Sequence, residues 1–339
     1  MQAAYLHGVR DIRLGPWTPT PTATGDCAVD VAAVGVCGSD LHYYKEAGIG
    51  TARVAAPFVM GHEFAGTLAA DVPARGLREG QLVAVDPARP CGRCEHCRRG
   101  HVNLCPDVVF AGAPPHPGAL AERVYASPAQ LHPLPATLDP IAGAMLEPLG
   151  VGIHAVDLAK PRLLESVAVL GCGPIGLILV ALVRLAGVGQ VVAVDPMTHR
   201  AEAARAHGAD IAAADRAAVA EATGGRGADL VLEATNSPDG FQHAVESARI
   251  GGRLVLVGIP DGDRYDLRAA EARRKGLEIK FSRRMGEVYP RAIRLVAEGR
   301  IDVTRMVTHT LPLARTAEAF RLMADGADGA IKTVVRPCA

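Results

Sequence analysis

The sequence predicts an α/β protein with two domains, one rich in β-strands and one built on a doubly wound parallel sheet. Its 339 residues exceed the usual size of one compact domain. Up to about residue 148, short apolar runs such as CAVDVAAVGVC and QLVAVDP alternate with Gly and Pro, which is typical of strands joined by loops. From about residue 150, apolar strands alternate with Ala-rich helical segments, which predicts parallel β–α–β units.

The elements of the parallel-sheet domain follow one another in a regular order. They are SVAVLGCG, PIGLILVALVRLAG, QVVAVDP, HRAEAARAHGA, ADLVLEAT, FQHAVESA and RLVLVGIP, read alternately as strand and helix. The alternation ends near residue 281, after which PRAIRLVAEG predicts a helix and AIKTVVRP a final strand. We therefore expect residues 149–284 to form the parallel-sheet domain, and residues 1–148 with 285–339 to form the β-rich domain.

The overall composition is that of a soluble globular protein, with about half of the residues apolar and 21% charged. Thirty-six basic residues balance thirty-six acidic ones, so no charged surface for nucleic acid or anionic lipid is predicted. MQAAYLHGVRDIRLG has no signal-peptide pattern, and Arg184 and several glycines interrupt the most apolar stretch. We expect a cytoplasmic protein, in which the eight cysteines stay reduced and close clusters of them bind metal.

Residues 91–105, CGRCEHCRRGHVNLC, contain the densest cysteine cluster. Thiolates from Cys91, Cys94, Cys97 and Cys105 could surround one Zn²⁺ tetrahedrally, and an iron–sulfur site is the alternative. The rest of the loop is polar, so the metal would supply the energy that orders it. A closed four-thiolate site has no open position for a substrate, and so this zinc is predicted to be structural.

A second candidate metal site is dispersed along the chain. Cys37 lies in VGVCGSD, His62 and Glu63 lie in VMGHEFAG, and Glu147 lies in MLEPLG. A thiolate, an imidazole and a carboxylate suit a catalytic zinc that keeps one position open. Taken singly, however, such a cysteine is usually a small core residue and such a His–Glu pair usually lies on the surface.

The segment SVAVLGCGPIG predicts a nucleotide-binding turn. Gly171, Gly173 and Gly176 follow an apolar strand and open a helix, as the close approach of a pyrophosphate requires. The next strand ends in Asp195, close to the spacing expected for an acid that binds the adenosine ribose. The negative charge of Asp195 favours NAD over NADP. Arg200 could stack on the adenine; the alternative, in which it is a solvated helix cation, keeps NADP open as the cofactor.

Several motifs together resemble those of the zinc-containing medium-chain dehydrogenases. CGSDLHYY, GHEFAG, the four-cysteine loop, EPLGVGIHAV and GCGPIG occur in that family's order over nearly the whole chain. CGSDLHYYKEAGIG, FAGAPPHPGAL, RRMGEVYPRAI and MVTHTLPL narrow the resemblance to the sorbitol, xylitol and related polyol dehydrogenases. The resemblance implies a GroES-like β-rich catalytic domain and a Rossmann domain. The segment LAKPRLLESVAVLG departs from the Gly-rich approach to the first Rossmann strand that many members have.

The resemblance also implies roles for individual residues. It implies that Cys37, His62 and Glu63 bind the catalytic zinc, and that Glu147 either binds it or holds its water. The other roles that it implies are the proton path (Ser39, His42), the substrate pocket (Tyr43, Phe110, Arg284) and the NAD contacts (Gly173, Pro174, Ile175, Asp195, Arg200). The fit near Arg284 could slip by one residue, to Arg283.

The function implied is the reversible transfer of hydride from a secondary hydroxyl of a polyol to NAD, giving a ketose. Two zinc ions per chain are expected, one catalytic and one structural, in a homotetramer or homodimer. The alternative substrates are a sugar lactol, a sugar acid such as idonate, threonine or a simple secondary alcohol. A protein that binds zinc and nucleotide without turnover is the alternative from another functional class.

Overall fold

The computed structural model describes residues 1–54 and 57–338 of the chain. It divides into two compact units. The first comprises Met1–Glu147 and Gly286–Ala339, and the second comprises Pro148–Met285.

The strands, numbered along the chain, are β1 (Gln2–Gly8), β2 (Asp11–Pro16), β3 (Cys27–Gly35), β4 (Gly48–Ile49), β5 (Ala52–Arg53), β6 (Phe58–Val59), β7 (Glu63–Leu68), β8 (Leu82–Val85), β9 (Ala88–Arg89), β10 (Val109–Phe110), β11 (Arg123–Ala126), β12 (Leu131–Pro133), β13 (Ser166–Leu170), β14 (Gln190–Val194), β15 (Ile211–Ala213), β16 (Ala228–Glu233), β17 (Ala248–Leu256), β18 (Glu278–Phe281), β19 (Val307–Pro312) and β20 (Lys332–Arg336).

The α-helices are α1 (Gly38–Glu46), α2 (Glu95–Arg98), α3 (Pro140–Ala144), α4 (Leu146–Ala159), α5 (Pro174–Leu185), α6 (Thr198–Ala206), α7 (Ala217–Ala222), α8 (Gly240–Ser247), α9 (Ala269–Lys275), α10 (Tyr289–Ala297) and α11 (Thr316–Asp325).

The main sheet of the first unit has the strand order β12-β8-β7-β3-β20-β19, and β11 also pairs with β3. Every second residue of β3 from Val29 to Ala33 is fully buried, because one face of the strand packs into the core. β3 and β7 are antiparallel with Gly35 opposite Glu63, and β20 places Val334 opposite Gly35. The register therefore brings the end of β3 and the start of β7 together beside β20.

The second unit contains a six-stranded parallel sheet in the order β15-β14-β13-β16-β17-β18. All five residues of β13 are buried, as a continuous apolar run in a sheet covered on both faces requires. Numbered within the unit, the order is 3-2-1-4-5-6, which is the doubly wound topology of dinucleotide-binding sheets. In this topology ligands bind at the carboxyl ends of the strands, where the order reverses beside β13.

These two sheets confirm the predicted fold class. β15, with three half-buried residues, was not predicted, because Ile211 is its sole large apolar residue and the segment carries no periodic signal. Among the described residues, no helix combines the length and the apolar character needed to cross a membrane.

Candidate active site

Cys37 lies at the junction between β3 and α1. Its backbone is extended and it immediately precedes the first turn of α1, so the helix begins at the residue after the thiol. The Cys37 backbone N–H donates to Asp40 Oδ2 over 3.1 Å, a hydrogen bond of the kind that stabilises helix starts. The local sequence CGSD thus places the Cys37 thiol directly before the first turn of α1.

Three predicted ligands come together in the first unit. One ligand atom each from Cys37, His62 and Glu63 can be chosen such that all three lie within 4.8 Å of one another. His62 and Glu63 are 5% and 1% exposed. A half-buried thiol with a buried imidazole and a buried carboxylate at this spacing forms a donor set that fits zinc, which accepts sulfur, nitrogen and oxygen ligands.

Asp40, which was not predicted as a site residue, orients His62. Its Oδ1 lies 3.4 Å from His62 Nδ1 and accepts a hydrogen bond from Gly61 N at 3.3 Å. Metal-binding histidines commonly have a carboxylate on the other ring nitrogen, and Asp40 leaves His62 Nε2 available to a metal. Burial alone would lower the pKa of His62, but the negative charges of Asp40 and Cys37 raise it well above its ordinary value.

Glu147 is 5% exposed and lies in the first turn of α4. Burial raises its pKa to about 8; the positive charge of His62 works against this and the carboxylate of Glu63 adds to it. Glu147 is not part of the three-residue ligand group. The charges of His62 and Glu63 act on its carboxyl, and its role as a zinc ligand or as the group that holds zinc-bound water stays a prediction.

Lys332, the first residue of β20, is the second site residue that the sequence did not indicate. It is 1% exposed and forms an ion pair with Glu63 Oε2. Its Nζ also donates to the carbonyl oxygen of Val36 at 2.9 Å. A single lysine at the start of a predicted strand is usually exposed, so the sequence does not indicate its burial. The ion pair between Lys332 and Glu63 is visible only in the three-dimensional structure.

The residues predicted for the proton path and substrate pocket have different surroundings. Ser39 Oγ lies 3.5 Å from His62 Nε2, and His42 Nδ1 lies 3.7 Å from Glu46 Oε1. The ring centroid of Phe110 lies 5.4 Å from that of His62, so this aromatic ring borders the ligand group.

The two remaining predicted pocket residues, Tyr43 and Arg284, lie in different units. Tyr43 is 5% exposed and packs in the apolar core of the first unit. Arg284 belongs to the second unit, has a positive φ of 54° and is partly exposed. Its neighbour Arg283, the one-residue alternative, is exposed. Both substrate roles stay predictions.

The four cysteines of the 91–105 loop also converge. The sulfur atoms of Cys91, Cys94, Cys97 and Cys105 all lie within 4.8 Å of one another. Backbone N–H groups of Cys91, Cys94 and Cys97 point at the sulfurs of Cys105, Cys91 and Cys94, at 3.3, 3.4 and 3.5 Å. Backbone hydrogen bonds lower the pKa of Cys91 to about 7. Such amides stabilise thiolates, and the set fits a tetrahedral zinc.

The predicted nucleotide turn joins β13 to α5 in the second unit. A Cβ on Gly176 would lie 1.8 Å from the carbonyl oxygen of Gly171, so glycine is required where the helix crosses the turn. Gly171 itself has a φ of +87° and its N–H donates to Val194 O at 2.8 Å. A Cβ on Gly173, in contrast, would meet nothing within 4 Å. Open space therefore lies directly before Pro174 and Ile175, the first residues of α5.

Asp195 follows β14 and is 4% exposed. Its two carboxylate oxygens accept hydrogen bonds from the backbone N–H groups of Cys172 and Met197, at 2.8 and 2.9 Å. These hydrogen bonds connect the nucleotide turn to Asp195. Each carboxylate oxygen of Asp195 retains a lone pair for a ribose hydroxyl. Arg200 lies in α6, and its Nε has no hydrogen-bond partner among the described residues.

Comparison with known proteins agrees with both parts of this description. The family described as alcohol dehydrogenase GroES-like domain matches residues 23–136, and the zinc-binding dehydrogenase family matches residues 174–298. The chain is 35% identical to sorbitol dehydrogenase of Bacillus subtilis (strain 168), over 99% of this chain and 97% of that protein. The chain therefore belongs to the zinc-containing medium-chain dehydrogenase family. Within that family it resembles the sorbitol and xylitol dehydrogenases.

Solved structures show the same architecture. L-idonate 5-dehydrogenase from Escherichia coli (strain K-12 substr. MG1655) superposes with a TM-score of 0.88 at 28% identity, covering 99% of this chain and 98% of that one. A provisionally assigned zinc-binding dehydrogenase from Sinorhizobium meliloti 1021, bound to NADP, also gives 0.88, at 31% identity and 99% coverage of both chains. The predicted combination of a GroES-like and a Rossmann domain is confirmed.

Proposed function

We propose that this protein is a zinc-dependent, NAD-linked polyol dehydrogenase. It transfers hydride from a secondary hydroxyl of a sorbitol- or xylitol-like polyol to NAD, giving a ketose, and it catalyses the reverse reaction. The observation that carries this proposal is the convergence of Cys37 with the buried His62 and Glu63 in a chain of this family. The sorbitol dehydrogenase relative supports the choice of substrate class.

The residues that would hold the catalytic zinc are Cys37, His62 and Glu63, with Glu147 beside them. A zinc ion bound there supplies a Lewis acid that makes the substrate hydroxyl easier to deprotonate. Cys91, Cys94, Cys97 and Cys105 would hold a second, structural zinc. Because four sulfurs fill a tetrahedral site, this second metal would act on stability and not on turnover.

The chain's own groups provide the path for the hydroxyl proton. Ser39 Oγ is close to His62 Nε2 and can accept a proton from a substrate hydroxyl while it donates its own. His42, three residues further along α1, can take that proton and pass it to solvent. Phe110 places an aromatic ring next to His62. We propose that Tyr43 and Arg284 contribute hydrogen bonds to a polyhydroxylated substrate.

The choice of NAD over NADP is supported by the position of Asp195. Its carboxylate is fixed by two backbone amides at the end of β14, where an acid can bind ribose hydroxyls and repel a 2′-phosphate. Gly171, Gly173, Gly176 and the start of α5 would receive the pyrophosphate. Arg200 keeps NADP as the competing cofactor.

A substrate panel tests this proposal directly. Initial rates of NADH formation would be compared for sorbitol, xylitol, galactitol, arabinitol, idonate and simple secondary alcohols, with NADP as the parallel cofactor. The proposal predicts the highest kcat/KM with NAD and a polyol. If a simple alcohol or idonate gives the highest kcat/KM, the assignment of a polyol as the substrate is wrong. If no alcohol is turned over, the protein is not a dehydrogenase of this kind.

A sugar acid is the second candidate substrate. Arg284 offers a cation for a carboxylate, and the similarity to L-idonate 5-dehydrogenase points the same way. The panel separates the two candidates, because Arg284→Ala should weaken idonate oxidation far more than xylitol oxidation if a carboxylate is recognised. We further propose a cytoplasmic homotetramer or homodimer, which light scattering coupled to size exclusion would test.

A further inference from the structure

We propose that Lys332 is a positioning residue of the catalytic metal site, holding Glu63 and the peptide next to Cys37 in the arrangement that receives zinc. This inference rests on the proposed function of the Cys37, His62 and Glu63 group and adds a residue from the far end of the sequence. Lys332 is not proposed to contact the substrate or the cofactor. It acts through two of the ligands.

The contacts of Lys332 connect the two segments that carry the ligands. Its ammonium pairs with Glu63 Oε2 at the start of β7 and donates to Val36 O, the carbonyl directly before Cys37. β20 is anchored at the same place by a hydrogen bond of 3.0 Å from Val36 N to Thr333 O. Lys332 therefore contacts the Glu63 carboxylate and the peptide that precedes Cys37 at the same time.

Gly35 provides the room for this ion pair. It lies directly opposite Glu63 in the β3–β7 ladder, and a Cβ there would lie 2.1 Å from Glu63 Oε2 and 3.1 Å from Lys332 Cε. A side chain at residue 35 would require the Glu63 carboxylate to move from its present position. The absence of a side chain at the end of β3 therefore leaves space for the ion pair between Lys332 and Glu63.

Stability alone does not account for a lysine at this position. Its strand neighbours Thr333, Val334 and Val335 are fully buried, so an apolar side chain would suit the surroundings. Buried ion pairs are often no more stabilising than well-packed apolar residues of similar volume. An ammonium that contacts a metal-ligand carboxylate is better explained by a requirement of the site.

The charges around Lys332 indicate what that requirement is. Glu63, Cys37 and Glu147 are the negative groups that act on it. The Lys332 ammonium reduces the repulsion between the Cys37 and Glu63 side chains, whose ligand atoms are held close together. Lys332 would thus pair with Glu63 while the metal is absent and hold that carboxylate in place for zinc.

The test measures zinc affinity as well as turnover. Zinc per chain would be titrated against a competing chelator for wild type, Lys332→Met, Lys332→Arg and Thr333→Val. Thr333→Val is the matched control, because Thr333 is buried on the same strand and its side chain contacts Ala319 O and not Glu63. Cys37→Ser identifies which of the two zinc ions a variant loses.

Lys332→Met is expected to weaken zinc binding at the Cys37 site by about 10–100-fold, as the loss of a group that orients a ligand does. The four-cysteine zinc should be retained, Lys332→Arg should recover part of the affinity, and Thr333→Val should behave as wild type. Unchanged affinity in Lys332→Met, or equal loss of both zinc ions in Lys332→Met and Thr333→Val, would overturn the inference.

A double-variant cycle keeps the inference testable if Lys332→Met folds poorly. Lys332→Met is expected to have little further effect on zinc affinity when Glu63 is already Gln, because the lysine acts through that carboxylate. Equal effects in both backgrounds would contradict this. If wild type and Cys37→Ser bind the same amount of zinc, the proposed metal site itself is wrong, which is a different result from a failure of Lys332 alone.

Discussion

Alanine substitutions at Gly176 and Gly173 separate the two requirements of the nucleotide turn, packing and space for a ligand. A Cβ at residue 176 would lie 1.8 Å from the Gly171 carbonyl oxygen, against ordinary contacts of 3.4–4 Å. Helix α5 and the turn must therefore move apart by about 1.6 Å, the difference between 3.4 and 1.8 Å. Overpacking of this kind costs about 1–3 kcal/mol, which lowers the melting temperature of a unit of this size by about 3–12 °C.

Gly173→Ala is the matched variant. Its Cβ meets nothing within 4 Å and its φ of −67° suits alanine, so the melting temperature should stay unchanged or rise slightly. The new methyl group would nevertheless occupy the space assigned to the pyrophosphate. We expect NAD affinity to fall by at least about tenfold, or about 1.4 kcal/mol.

Calorimetry and NADH fluorescence titration measure the two quantities on the same preparations. Gly176→Ala should lose both stability and NADH binding, and Gly173→Ala should lose binding alone. If Gly173→Ala binds NADH as tightly as wild type, the open space before α5 is not the phosphate site. If Gly176→Ala melts as wild type, the contact with Gly171 does not constrain the turn.

Four further predictions concern other residues. Asp40→Asn should weaken zinc binding at the Cys37 site by about 10–100-fold, measured by chelator competition, and wild-type affinity would exclude the orienting role. Cys94→Ser should remove one zinc and lower the melting temperature, with kcat/KM of the folded fraction retained at low temperature; a loss of turnover without a change in melting would contradict a structural role. Asp195→Ala should raise the NADP-to-NAD ratio of kcat/KM by at least about tenfold, and an unchanged ratio would refute the proposed selectivity. Burial and the nearby Arg75 lower the pKa of His132 to about 4, so its contribution to stability is complete above about pH 6.5 and is lost as the pH falls towards 4. His132→Phe keeps an aromatic ring against Tyr289 and should reduce this acid sensitivity, by at most about 3 kcal/mol in urea unfolding; identical pH profiles would refute it.

The fold and the local motifs could be predicted because their signals lie within short stretches of sequence. The parallel sheet is visible as apolar runs such as Ser166–Leu170, and the cysteine loop and glycine turn depend on spacing within about fifteen residues. The Cys37, His62 and Glu63 group was weaker as a sequence signal because strand register, and not spacing, brings its members together.

Two site residues escaped prediction for related physical reasons. In the sequence, Asp40 resembles an ordinary acidic residue in the first turn of a helix. Its contact with His62 depends on the three-dimensional path of the segment before β7. Lys332 reads as a polar strand end, although it pairs with a carboxylate encoded 269 residues earlier. Long-range pairing of this kind leaves no trace in local composition or periodicity.

The central claim is that the metal bound by Cys37, His62 and Glu63 supports NAD-linked oxidation of a polyol. The most direct measurement is the rate of ketose formation from xylitol or sorbitol by wild type and Cys37→Ala, with zinc content and NADH affinity determined on both. We predict two zinc ions and turnover for wild type, and one zinc, wild-type NADH affinity and no turnover for Cys37→Ala. Wild-type turnover by Cys37→Ala after the loss of that zinc would contradict the account.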